Sequence, residues 1–268
     1  MPKADRAGFP TYWTEFGQGP RSALMIHCSL DHSGSWGGLA RYLSGALRMT
    51  AFDMPGHGRS GAWDERGEIQ KVTTDIAATF CDGPTDLIGH SFGATVALRL
   101  AVEQPEKVRS LILFEPVFFA VALRDRPEMR DAFEEQMKDV TDAFEAGDMT
   151  KAARAFTALW GDDTAWSDLS EEQRGQLASQ MHVIEAGSAA IYDDAGGLLD
   201  DGGIGDIKQR VLLIEGTQSP AIIPAINEGL AARLSRVKRA VVAGAGHMAP
   251  ITHPGQSSAE ILRFLAES

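Results

Sequence analysis

Residues 87–95 read LIGHSFGAT, a serine flanked at two residues' distance by glycines and preceded by an apolar run. That spacing suits a serine exposed for nucleophilic attack, provided a strand enters the turn and a helix leaves it. Both conditions are met in the sequence. TDLIGH (85–90) is a short buried-strand pattern, and SFGATVALRLAVEQ from Ser91 onward carries helical periodicity. A turn this tight strains the serine backbone and brings the two chain segments close together. Gly89, Gly93 and Ala94 are therefore small, and the strain aims the hydroxyl into an open cleft.

A serine hydroxyl is a poor nucleophile until a neighbouring base takes its proton and an acid orients that base. Of seven histidines, only His247, in GAGHMAP (244–250), has the late place expected in the order serine, acid, histidine. His90 is the elbow's own variable position and His57 sits in a turn. His27 and His253 read as structural.

Those groups need a frame. Six short apolar runs with glycine or proline punctuation read as buried parallel strands: 23–27, 49–53, 85–90, 108–115, 210–215 and 237–243. Residues 11–27, TYWTEFGQGPRSALMIH, read as a hairpin leading into the first of them. Amphipathic helical stretches alternate with the strands, so the expected class is α/β with a doubly wound, mostly parallel sheet. Residues 120–204 break the rhythm with consecutive helical patterns and no strand. They read as a helical cap inserted into a core made of 1–119 and 205–268. The return to the core, DDAGGLLDDGGIGD, is Gly/Asp-rich and reads as flexible.

Four pieces in order, HCSLDHSGSW, FDMPGHGRS, GHSFG and GAGHMAP, make the chain resemble the α/β-hydrolase superfamily over residues 10–119 and 205–268. The resemblance implies Ser91 as nucleophile, His247 as base, and an oxyanion hole of two backbone N–H groups. One belongs to Phe92 and the other to the HCSL loop, with Ser29 favoured over Cys28. Family members commonly carry His-Gly at positions 27 and 28, where this chain has His-Cys. A serine at 91 separates it from the family's dehalogenases and epoxide hydrolases, which attack through a carboxylate.

The acid departs from the usual pattern. Where many members have Gly-x-x-Asp, this chain reads Gly216, Thr217, Gln218, Ser219. Glu115, closing LILFEPV, is similar to the acid of members that carry it on the strand after the elbow helix, and a doubly wound sheet gathers strand ends at one edge. Glu215 is the alternative, a serine–histidine dyad without an acid is another, and Asp53 reads as a turn-stabilising carboxylate.

The expected activity is cofactor-free hydrolysis of a small ester, lactone, thioester or related acyl compound, with no metal or nucleotide. C–C bond hydrolysis, a lyase or a perhydrolase would use the same triad, and a ligand-binding protein without turnover is a third reading. Trp36, Trp160, Trp166, Met129, Met137, Phe133 and Phe144 are open to either pocket lining or helix packing. Net charge is −12 over 268 residues with no basic cluster, which argues against nucleic acid as a partner. Cys28 and Cys81 read as reduced thiols. The opening segment lacks the apolar stretch of a secretory signal and no segment is long enough to span a membrane, so a cytoplasmic protein is expected.

Overall fold

The computed structural model describes residues 3–267. The strands are β1 (Lys3–Arg6), β2 (Phe9–Phe16), β3 (Arg21–Ile26), β4 (Leu47–Phe52), β5 (Thr85–His90), β6 (Val108–Phe114), β7 (Arg210–Gly216) and β8 (Val237–Val242). They form one sheet in the order β1-β2-β4-β3-β5-β6-β7-β8. Every pairing from β4 to β8 is parallel, and β1 and β2 add an antiparallel edge. The helices are α1 (Gly37–Leu43), α2 (Ile69–Ala78), α3 (Phe92–Glu103), α4 (Phe119–Asp125), α5 (Arg130–Glu145), α6 (Met149–Trp160), α7 (Glu171–Tyr192), α8 (Ile222–Arg233), α9 (Ala249–Thr252) and α10 (Pro254–Ala266).

The strands are apolar on both faces because both faces are covered. Successive residues point to opposite sides. Leu24, Leu87, Leu111 and Leu213 pack with α2, α3 and α8 through Ile76, Val96 and Ile226. Their neighbours Met25, Ile88, Ile112 and Ile214 pack with α1 and α10 through Leu39, Leu43, Ile261 and Phe264. This is the doubly wound α/β arrangement expected from the alternating pattern.

The opening hairpin forms one strand earlier than the sequence reading placed it. Ala7 and Gly8 both lie at positive φ, 51° and 80°, the conformation a two-residue hairpin turn requires, and they join β1 to β2. β2 and β3 are not partners, because β4 lies between them. The connecting GQGP stretch is instead tied across the sheet, with the N–H groups of Gln18 and Gly19 donating to the Ser44 and Leu47 carbonyls at 3.0 and 3.1 Å.

Between β6 and β7 the chain makes only helices. α5 carries Phe133, Met137, Val140 and Phe144 at helical spacing on one side, with acidic residues on the rest of its surface. α7 opens with a reciprocal cap in which Ser170 and Gln173 satisfy each other's backbone N–H groups. The Gly/Asp-rich return, read as flexible from its composition, is anchored. Asp194 accepts from the Leu198 and Leu199 N–H groups, both at 2.8 Å, and Leu198, Ile204 and Ile207 are buried.

Candidate active site

Ser91 lies between β5 and α3, capping the helix at φ 55°, ψ −120°, a strained conformation for a residue with a side chain. Its N–H donates to the Phe114 carbonyl of β6 at 2.9 Å, which fixes the turn to the neighbouring strand. The flanking glycines are steric necessities. A β-carbon at Gly93 would lie 2.3 Å from the Ile26 carbonyl oxygen, and one at Gly89 would lie 2.5 Å from Ala94 Cα. Phe92 opens α3, so its N–H has no carbonyl one turn earlier in the helix to bond.

Glu115 follows β6 at φ 44° and is completely buried. One carboxylate oxygen, Oε1, accepts the Gly216 N–H at 2.7 Å and the Ser219 hydroxyl. The other, Oε2, accepts from His247 Nδ1 at 2.8 Å. The imidazole is thereby oriented with its Nδ1 proton on the carboxylate, which leaves Nε2 unprotonated as the basic nitrogen in the neutral ring. Ser219 occupies the position where the sequence pattern lacks an aspartate, and its hydroxyl holds the glutamate that arrives from the adjacent strand. The sequence reading missed this role, since nothing in a serine's type or spacing identifies a partner 104 residues away.

Glu215, the alternative acid, is turned toward other partners. It accepts from Asn227 Nδ2 of α8 at 2.6 Å and from the Arg239 guanidinium of β8 at 3.0 Å. Asp53 accepts the backbone N–H groups of Ser33 and Arg59 at 2.6 and 2.7 Å, the turn-bracing role read from the sequence.

The remaining buried histidines hold backbone. His90 Nε2 donates to the His247 carbonyl at 2.9 Å, and the two rings lie 5.1 Å apart. Burial, with the nearby His247 ring as a second cause, pushes His90 down to about 3, so it is neutral at ordinary pH. His27 Nδ1 donates to the Cys28 carbonyl at 2.7 Å while its Nε2 accepts the Met54 N–H at 3.0 Å. His57 Nε2 accepts the Leu30 N–H at 3.0 Å, and its Nδ1 donates to the Pro55 carbonyl at 2.9 Å. Burial pushes His57 down to about 4 and His27 well below the usual imidazole range. The 27–30 loop is thus pinned from two sides by uncharged rings. Cys28 is buried, and burial also raises its thiol, which keeps it protonated.

Above Ser91 lies a cavity of about 570 Å³ between α3 and helices α4 to α7. Ser29, Ser91 and Phe92 share its lining, whereas Cys28 is not part of it. Its walls are apolar, with Phe119, Phe133, Met137, Phe144 and Trp160 among them, and charged side chains such as Lys138, Asp142 and Glu185 also border it. Of the aromatic and methionine residues left open by the sequence, Trp36, Trp166 and Met129 lie outside this lining. The Trp160 ring, part of the lining, lies 4.9 Å from the His247 ring at an interplanar angle of 72°. Gly187 lets α7 approach closely, since a β-carbon there would come 2.9 Å from the Phe92 ring.

The structure thus has a strained serine on a strand–helix elbow, a histidine held by a buried carboxylate and a largely apolar chamber over the serine. The family model for the alpha/beta hydrolase fold matches residues 24–254. The chain belongs to the α/β-hydrolase family. A pimeloyl-[acyl-carrier protein] methyl ester esterase of Nitrosospira multiformis is 28% identical over 268 residues, covering 94% of this chain and 97% of that protein. Lipase LipV of Mycobacterium tuberculosis is 36% identical over 149 residues, or 54% of this chain and 53% of the lipase, so the match spans about half of each. The crystal structure of a putative lipase from Acinetobacter baumannii shares the fold with a TM-score of 0.73 at 18% identity, covering 99% of this chain and 90% of that one. These curated relatives are an esterase and a lipase, hydrolases of the same family. No helix among the described residues is long and apolar enough to cross a membrane.

Proposed function

We propose that this α/β-hydrolase cleaves esters of small to medium acyl chains through an acyl-enzyme on Ser91, with His247 as base and Glu115 as the acid of the triad. The observation that carries the reading is the 2.8 Å contact between His247 Nδ1 and Glu115 Oε2. It supplies the tautomer that nucleophilic activation needs and supports the charged imidazolium that forms during the reaction. Ser91 Oγ attacks the ester carbonyl while His247 Nε2 takes its proton. The oxyanion is held by the Phe92 N–H and by an N–H of the 27–30 loop. Ser29, which shares the cavity lining with Ser91, suits that place better than Cys28. The tetrahedral intermediate expels the alcohol, which receives the proton from His247. A water then gives a proton to His247 as its oxygen bonds the acyl carbon, and the second tetrahedral intermediate expels Ser91 Oγ, which takes that proton back from His247 as the free acid leaves.

Helices of residues 120–204 act in this reading as a cap, and the apolar chamber beneath them receives the acyl chain. Methyl esters of dicarboxylic acyl chains are a natural first class to try, given the pimeloyl esterase among the relatives. The test is active-site labelling with an alkyl fluorophosphonate. Peptide mapping should find the phosphonyl adduct on Ser91, and its yield should collapse in His247→Ala. Labelling at another residue, or none, contradicts the proposal.

A further inference from the structure

The chamber over Ser91 has a neighbour. A second cavity, about 360 Å³ and open to the surface, lies among α4, α5 and the start of the 193–206 loop. Three side chains line both spaces: Leu123, Arg130 and Tyr192. They form the partition between them. Arg130 is about half exposed and, among the described residues, pairs only with Glu134, at 3.5 Å, so it is the loose member. Leu123 is buried on α4.

Tyr192, the last residue of α7, is the broad member. Its ring packs against Phe119 at 4.8 Å and Phe133 at 6.1 Å between centroids, tilted by 35° and 33°. Both partners line the chamber. The phenol has no hydrogen-bond partner among the described residues, and burial pushes it up to about 12, so it stays a neutral hydroxyl. The ring is therefore held by apolar packing, with no hydrogen bond on its hydroxyl among the described residues. Removing it breaks no polar network and takes away the widest part of the partition.

We propose that Tyr192 is the stopper of the acyl pocket, setting the longest chain the enzyme accepts by closing the chamber against the second cavity. This rests on the esterase reading and gives it a substrate limit: acyl chains that end at the Tyr192 ring. Chains longer than that meet an aromatic wall in the native enzyme and gain no further burial. Without the ring, the chamber continues into the second cavity and the chain tail passes through it.

The experiment is kcat/KM across p-nitrophenyl esters from acetate to palmitate for the native enzyme, Tyr192→Ala, Tyr192→Leu and Tyr192→Phe, each first checked for cooperative unfolding. The quantity read is the ratio of long-chain to short-chain kcat/KM within each protein. Beyond the length at which the native profile levels off, Tyr192→Ala should gain with each added methylene, by less than the about fourfold of full apolar burial because Arg124, Asp193, Asp194 and Asp200 border the second cavity beside Leu123 and Leu199, with Tyr192→Leu intermediate. Tyr192→Phe, which keeps the ring, should keep the native ratio. An unshifted profile in Tyr192→Ala overturns the stopper, and a shift in Tyr192→Phe equal to that in Tyr192→Ala assigns the limit to the hydroxyl instead. Quenching of tryptophan fluorescence by fatty acids of graded length repeats the comparison without turnover, because Trp160 lines the chamber. If no ester is turned over, the esterase reading fails, while the fluorescence series still decides the stopper.

Discussion

Glu115 combines complete burial, a positive φ and three hydrogen-bond donors on its two oxygens. A carboxylate so held cannot swing away from His247, and the proposed mechanism assigns it the tautomer and charge of that ring. Glu115→Gln should lower kcat on the order of 10⁴-fold, as loss of the correct tautomer does, with the native unfolding midpoint largely retained. Glu215→Gln, whose partners are Asn227 and Arg239, should leave kcat near native. Reversal of the two effects would assign the acid to β7. Ser219 invites a complementary swap: in a Glu115→Ala background, Ser219→Asp should restore a measurable part of the lost rate, because its side chain already reaches the carboxylate that holds His247. The strained turn at Ser91 was legible in the sequence because such a turn demands small residues on both sides, and His247 could be proposed from its late place in the chain. Ser219 was not, because its role is defined by what it touches across two strands.

Elements position these groups through close approaches that small residues permit. The elbow depends on Gly93 facing the Ile26 carbonyl, and the 27–30 loop beside it is pinned by His27 and His57. Gly93→Ala should destabilise the fold by about 1–3 kcal/mol or more, read from urea unfolding, because backbone on both sides must move. A native-like midpoint would mean the elbow is not packed this tightly. Strand positions were legible from two-sided burial, which makes near-continuous apolar runs. Strand pairing at the sheet edge was not. The hairpin lies between β1 and β2 because Ala7–Gly8 supplies two consecutive positive-φ residues, a demand invisible in alanine's residue type. The apolar stripe of α5 was readable as helical, but which of its neighbours, Trp160 and not Trp166, reach the chamber depends on packing among α5, α6 and α7.

At the scale of the whole molecule, charge is unevenly placed. Residues 120–204 contain 19 of the 37 carboxylates and 7 of the 25 Lys and Arg, so they carry the entire net charge of −12 and the remainder is neutral. The field therefore concentrates on the helices around the chamber. An ester with an anionic alcohol should show a lower kcat/KM than a neutral one of equal acyl length, and added salt should narrow the gap by screening. A gap indifferent to salt would remove the field as a selector.

Acid should also weaken the fold through its buried rings. His57 and His90 are held down to about 4 and 3, so between about pH 6.5 and those values the unfolded chain binds protons that the native one refuses. Their contribution is present above about 6.5 and is lost as pH falls. His57→Gln should flatten the stability slope between about pH 6.5 and 4 by up to about 1.4 kcal/mol per pH unit, measured by urea unfolding. An unchanged slope would show that His57 titrates normally in the fold.

Whether Ser91 attacks an ester under an apolar cover is decided by hydrolysis of a p-nitrophenyl ester series on the native enzyme beside Ser91→Ala. Turnover should depend on acyl length and vanish in Ser91→Ala while the variant keeps its unfolding transition. Equal turnover in both proteins, or none in either on any acyl length, would contradict it.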